Sequence, residues 1–290
     1  MSTVTSVVAT ETRPAPTRRR RSRWTWVFVL LSVLVALPSI LPILWLISTS
    51  LKNYIQTQIL PPILVPEDAS LANYVNVINN GAFTYLRNSA VVTVATVLLV
   101  AVLAIPGAYA LARFRLRKGR DLQFWIISLR MLPPMAVVVP VYLAFAQIGL
   151  SGSLLSIICM LTMVNAAFAV WLLTIFFEDV PVEVEEAATL DGVGRFGTMM
   201  RIAIPLARTG ILTVLGFVFI FAWNELPFAL VLSGQLSQTF PVFLSTFSGI
   251  TLIDYGAMAA ACLIHITPIL LVTALLQRNL VAGLSFGAVK

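Results

Sequence analysis

Charge is what this sequence has least of. Only 11% of its 290 residues are Asp, Glu, Lys or Arg, against 59% hydrophobic residues. A soluble domain carries about 25% charged and 45–50% apolar residues, so a water-soluble globular fold is excluded. Cysteine and histidine are nearly absent as well, at two and one. Cys159 and Cys262 lie far apart inside apolar segments, which makes them buried free thiols, not a disulfide or metal pair. With one histidine and one acidic residue, Glu225, deep in an apolar segment, no nucleophile–base pair or metal cluster is recognisable, which argues against a membrane enzyme. The same scarcity of acidic relays, with no internal repeat, argues against an ion-coupled secondary transporter. No G-x-x-x-x-G-K-[ST] loop is present, so the chain has no P-loop of its own to bind a nucleotide.

What is present is a set of long apolar runs. Six reach about 20 residues or more, the length that a hydrocarbon layer of roughly 30 Å requires of a helix: Trp24–Ile47, Ser89–Ala112, Leu122–Ile148, Leu154–Phe177, Ile211–Leu232 and Gly256–Leu276. The expected fold is an all-α integral membrane protein of six transmembrane helices. The net charge of +7 does not signal nucleic acid, because the basic residues sit at the ends of apolar runs without interleaved exposed aromatics. They set topology instead, since Lys and Arg near spans stay cytoplasmic. With the N-terminus inside, sixteen of the nineteen basic residues are cytoplasmic, only Lys52 and Arg87 are external, and Arg130 lies within a span. Both termini are then cytoplasmic. Residues 1–23 form a basic leader whose first part lacks apolar periodicity and is expected to be disordered, its arginines resting on membrane lipid. Residues 24–277 form the six-helix transmembrane domain and 278–290 a tail loosened by Gly283 and Gly287. Outside, Ser70 is a candidate cap for a short helix through Asn73 and Ile78.

The loop from Glu178 to Arg208 is about 30 residues long, far beyond the usual 4–6. Pro181 suits a first helical turn, and Glu183, Glu185 and Glu186 place negative charge at a helix's positive end. Asp191-Gly192 marks a turn, and a second helix over Arg195–Ile202 is punctuated by Pro205. A cytoplasmic helix–turn–helix is expected. Its acidic start is unlike lipid-facing amphipathic helices, whose polar faces carry Lys and Arg.

Glu186-Ala187-Ala188, then Gly192, then Ile202-x-Ile204-Pro205 resembles the "EAA" signature of ABC importer permeases, with Ile204 where leucine is usual. Phe221-Ala222-Trp223-Asn224-Glu225 before Pro227, Arg130-Met131-Leu132-Pro133-Pro134, and Gln277-Arg278-Asn279-Leu280 through Lys290 are similar to the carbohydrate-uptake, maltose-transporter-like group. The match is to the smaller of its two paired permeases. That resemblance implies a subunit of the bacterial inner membrane, not an enzyme, that forms half of a sugar pathway. Its implied partners are a second homologous permease, two ATPase subunits that bind ATP and Mg, and an extracytoplasmic sugar-binding protein. A polyol or glycerol phosphate is the alternative cargo.

The resemblance makes the loop a coupling helix, with Glu185, Glu186, Ala187, Ala188, Asp191, Gly192, Ile202, Ile204 and Pro205 as its ATPase-coupling residues. It also implies contact between the tail, at Gly283, Gly287 and Lys290, and the ATPases. Ionisable groups at membrane depth mark a cavity or a partner. Arg130 is therefore either a pathway residue or a cap on a helix broken at Pro133-Pro134. Trp223, Asn224 and Glu225 belong either to the sugar passage or to a gate at the permease–permease interface. His265 is expected to be a packing residue.

Overall fold

A computed structural model of the chain describes residues 23–114, 118–249 and 253–286. The expected disordered leader, Gly287 and Lys290 lie outside the described residues. Among these the fold is helical, with two isolated β-bridges and no named strand. The chain divides after Trp45 into two units. The first belongs to helix α1 (Arg23–Ser50), which is helical throughout the first expected span despite Pro38 and Pro42.

The second unit holds α2 (Tyr54–Gln58), α3 (Ala72–Asn79), α4 (Ala82–Arg113), α5 (Gly119–Ser128), α6 (Pro134–Gln147) and α7 (Leu154–Glu178). The connection to the next span contains α8 (Val182–Leu190), α9 (Arg195–Thr198), a π-helical turn (Met199–Ala203) and α10 (Ile204–Leu206). Then follow α11 (Arg208–Trp223), α12 (Pro227–Leu232), α13 (Phe240–Ser245) and α14 (Tyr255–Phe286).

Among the described residues, three unbroken helices are long and apolar enough to cross a membrane: Ala82–Arg113, Leu154–Glu178 and Tyr255–Gln277. Two expected spans are not straight. The third breaks at Leu132-Pro133, where α5 with its short 3-10 extension meets α6 at 93°. Pro133 lacks an N–H, and a residue before proline is pushed out of the helical region, so consecutive prolines end one helix and start another. At about 1.5 Å per residue, the 14 residues of α6 alone are too short for a roughly 30 Å layer. The fifth span breaks at Asn224–Leu226, between α11 and α12. The last helix is longer than expected: it runs on through Phe286, so Gly283 is part of a helix and not of a loose tail.

Two apolar clusters fix the direction of the helices. Val100, Ala104 and Ala108 of α4 pack with Ala169, Leu173 and Phe177 of α7 and with Ile211, Val214 and Val218 of α11. Val92, early in α4, packs with Ile157 and Leu161, early in α7. Helices α4 and α7 therefore run in the same direction, as expected of spans separated by one intervening crossing, and α11 returns. The 178–208 loop joins one end of this core. Segment 46–80 and residues 233–249 lie at the other.

At that opposite end, the Asn73 amide donates to the carbonyls of Ser50 and Lys52, at 2.9 and 2.7 Å. A side chain at Gly256 of α14 would meet the same amide at 2.6 Å. Ser70 accepts from the Ala72 N–H, so the short outer helix begins close to where its sequence places it. Lys52 is buried, and burial lowers its amine below the usual lysine range; it donates to the Ile63 carbonyl. Asn73→Ala leaves two carbonyls short of a donor, at a cost of about 1–3 kcal/mol. Limited proteolysis of the intact protein should then cut faster between residues 53 and 70; an unchanged rate would mean that Asn73 does not hold this segment.

Candidate functional site

Helix α8 starts directly after Pro181, whose ψ of 126° is extended, with Glu183 and Glu185 in its first turn. It ends in a Schellman cap. The Val193 N–H reaches the Ala188 carbonyl at 3.0 Å and the Gly192 N–H reaches that of Thr189 at 3.1 Å. Gly192 adopts φ +82°, the left-handed conformation that this cap needs and that other residues adopt at a cost. Gly194 then precedes α9, which passes through the π turn into α10. Pro205 therefore lies inside this helical stretch and does not end it. The Ile204 N–H bonds back to Met199, five residues away. At Ala207 the chain turns by 80° into α11. The loop is a helix–turn–helix, as its sequence implies, and the second arm is longer than expected.

The faces of this loop are sorted differently from the sequence expectation. Glu186, Ala187, Asp191 and Gly192 are exposed. Ala188 is buried, at 7% exposure, so only Ala187 of the alanine pair can be approached closely from outside. Glu185, grouped with the outward coupling residues, points inward instead. Its carboxylate takes the Tyr109 hydroxyl at 2.8 Å and Arg113 Nε at 2.9 Å, and forms an ion pair with Arg113 Nη2. Adjacent residues on a helix point about 100° apart, so Glu185 and Glu186 cannot serve the same surface. Ile202 and Ile204 are half-buried and Pro205 is exposed. Two residues absent from the motif complete the outer surface: Leu190 and Phe196, 88% and 70% exposed. Nothing in the sequence sets them apart from the other apolar residues of the loop, such as Val193 and Met199.

The membrane-depth residues form a second group. Arg130 and Glu225 line one cavity of about 310 Å³, together with Leu132, Val137, Met160 and Phe228. The Arg130 guanidinium lies over the rings of Phe221 and Phe168, at 4.3 and 4.7 Å, with Asn165 Oδ1 at 3.4 Å. Cation–π contact thus covers part of the half-buried charge, and its partners lie on α7 and α11, not at the helix break beside it. Glu225 Oε1 accepts from the Phe228 N–H at 3.0 Å and so caps α12. Asn224 closes α11 through the Ile220 carbonyl, leaving Oδ1 facing His265 Nε2 at 3.4 Å. The break in the fifth span therefore has its exposed backbone groups met by Asn224 and Glu225.

Trp223 does not line a passage. It is 3% exposed, stacks between Phe219 and His265, and donates its indole N–H to the His265 carbonyl. His265 in turn stacks on Phe240 at 5.5 Å, in keeping with its expected packing role. Cys159 and Cys262 are free thiols, as expected, but each is half-buried and not fully buried. Among the described residues no group of three or more His, Cys, Asp or Glu is placed to hold a metal ion.

Residues 104–286 match the family described as the binding-protein-dependent transport system inner membrane component. A probable ABC transporter permease protein of Sinorhizobium fredii is 34% identical over 86% of this chain and 90% of its own length. The diacetylchitobiose uptake system permease protein of Streptomyces coelicolor is 32% identical over 87% and 92%. The trehalose transport system permease protein of Mycobacterium tuberculosis is 31% identical over 90% and 96%. A bacterial ABC transporter involved in the import of the acidic polysaccharide alginate contains a chain of the same fold. Its TM-score is 0.72 at 22% identity, covering 92% of this chain and 99% of that one.

Proposed function

The chain belongs to the family of binding-protein-dependent transport system inner membrane components, and we propose that it is one of two permeases in an ATP-driven importer for sugars. It is an ABC transporter permease and a multi-pass inner-membrane protein. Both termini and the 178–208 loop face the cytoplasm in this reading, where the excess of Lys and Arg favours them. The cargo is supported by relatives named for diacetylchitobiose and trehalose uptake, and by the Phe221–Glu225 motif.

The geometry of the docking loop supports this reading best. Glu186, Ala187, Leu190, Asp191 and Phe196 make an exposed surface that is both acidic and apolar. It fits a cleft on an ATPase subunit that offers basic and apolar groups. ATP and Mg bind in two such ATPases, outside this chain. An extracytoplasmic sugar-binding protein delivers the cargo to the opposite end. Receptor binding outside and ATP binding inside then bias one equilibrium between inward-open and outward-open states. Arg130, Asn224 and Glu225 supply polar groups to this chain's half of the passage, and the second permease supplies the rest. The helical C-terminal end that contains Gly283 extends toward the ATPases.

Reconstitution tests the proposal. In proteoliposomes holding the complete complex, ATP should drive uptake of the sugar that the receptor binds, and the loaded receptor should stimulate ATP hydrolysis. The cargo is identified by thermal shift of the receptor, because a ligand stabilises its folded form by mass action. A receptor stabilised only by a polyol or glycerol phosphate would overturn the sugar assignment. Normal receptor-stimulated hydrolysis in a preparation lacking this chain would overturn its role as an essential half.

A further inference from the structure

We propose that α4 is the rod that carries motion between the docking loop and the opposite end of the molecule, and that the Arg113–Glu185 pair is its grip on the loop. This rests on the docking reading above and names the path that the signal takes. Helix α4 stays helical for 32 residues, through the interior Pro106, about 48 Å at ~1.5 Å per residue and enough to cross the whole core. Both of its ends are fastened by polar side chains and not by apolar contact alone.

At the loop end, Arg113 in the last turn of α4 holds Glu185 through Nε and Nη2, both at 2.9 Å. The same Nη2 donates to the Val180 carbonyl at 2.8 Å, and Tyr109, one turn earlier, donates to the other carboxylate oxygen. One helix end thus grips both Val180, two residues before α8, and the first turn of α8. The two charged side chains are 11% and 8% exposed. Helix α8 otherwise packs on α9 and the π turn, within its own loop. Apolar surfaces slide over one another, whereas a buried ion pair, here two guanidinium nitrogens on the one oxygen Oε1 with the Tyr109 hydroxyl on Oε2, fixes distance and direction together.

At the opposite end, Asn88 of α4 donates its amide to the carbonyls of Leu236 and Gln238, at 3.0 and 2.9 Å. Neighbouring Ser89 accepts from the Phe240 N–H at 2.8 Å. Both side chains are buried, at 1% and 2% exposure. The segment they hold carries Leu236, which is 89% exposed. Displacement of the docking loop therefore pulls on Arg113, moves α4 lengthwise and reaches residues 236–240 without passing through the 80° elbow at Ala207. Arg113, Glu185 and Asn88 are positioning residues, since none of them belongs to the outer docking surface.

The test uses the complete complex in proteoliposomes, with receptor-stimulated ATP hydrolysis, uptake and co-purification of the ATPases measured together. Glu185→Gln, Arg113→Gln and Asn88→Ala should each retain the ATPases and basal hydrolysis. Each should lower receptor stimulation at least about fivefold, the low end of measured coupling between sites. The exchanged pair, Glu185→Arg with Arg113→Glu, should recover most of what either single change loses. Tyr109→Phe, which leaves the ion pair in place, should cost much less.

Stimulation within twofold of the unmodified complex in Glu185→Gln and Arg113→Gln overturns the proposal. So does loss of the ATPases from these variants, because the pair would then only shape the docking surface. If the single variants fail to accumulate, the exchanged pair decides alone, and an accumulated but unstimulated exchanged pair overturns the proposal. Failure of the docking reading is separate: it would show as normal transport when Glu186 and Gly192 are both replaced.

Discussion

Glu186→Lys combined with Gly192→Ala abolishes ATP-driven uptake while the subunit remains in the membrane. Each change acts by its own physics. Glu186 is exposed on α8, and reversing its charge sets like charges against a basic partner cleft. Gly192 has open space around it, with nothing within 4 Å of an added Cβ, so a side chain there meets no steric barrier. The cost is conformational: at φ +82° a residue with a Cβ is disfavoured by roughly 1–2 kcal/mol. That is enough to loosen the cap joining Ala188 to Val193 and to redirect the second arm of the loop. Uptake of labelled sugar into proteoliposomes, with ATP hydrolysis measured in parallel, reads the result. Hydrolysis that persists without uptake is the expected sign of uncoupling, and unchanged uptake in the double variant would sink the docking assignment.

Gly210→Ala should destabilise the subunit although it favours the helix in isolation. Glycine inside a helix is about 0.8–1.0 kcal/mol worse than alanine, so a site with free space would gain from the change. Gly210, however, faces Phe176 of α7, and a Cβ would lie 2.3 Å from its Cγ and 2.5 and 2.8 Å from its Cδ atoms. These atoms belong to the near edge of the ring, which cannot move aside without shifting α7 or α11. Overpacking of this kind costs about 1–3 kcal/mol. The sign of the change in melting temperature, measured in detergent on the purified subunit, therefore separates contact from propensity. Adding Phe176→Ala to Gly210→Ala should recover part of the loss. A higher melting temperature for Gly210→Ala alone would show that the two helices do not approach this closely.

Much of the docking loop was legible from its residues because its signals are local. Proline before a helix, acidic residues in its first turn and Asp-Gly at its end each act through the backbone of a few neighbours. The motif, however, did not separate Glu185 from Glu186. Both are acidic and adjacent, and only the position of α4 decides that one meets Arg113 while the other meets solvent. Nor did it pick out Leu190 and Phe196, whose exposure depends on which face of the loop the core covers.

A similar division runs through the spans. Pro133-Pro134 announced a break, and the structure supplied its angle of 93°. The break at Asn224–Leu226 had a weaker signal, a single Asn-Glu step before Pro227, inside a run whose hydropathy reads as one helix. Trp223 is expected from sequence either in the sugar passage or at a gate, and in the structure Phe219 and His265 occupy its faces.

By itself the sequence determined that the chain lives in a membrane, where its apolar runs lie and which loop differs in kind from the rest. Hydrophobic burial and helix capping depend on composition and near neighbours, and these are written along the chain. Tertiary structure alone decided which of two neighbouring glutamates faces outward, what covers the faces of Trp223 and which glycine allows two helices to touch. Each of these depends on what residues distant in sequence place at a given point in space. The same is true of α4, whose grips at Arg113 and Asn88 acquire meaning only through Glu185 and Leu236, 72 and 148 residues further along the chain.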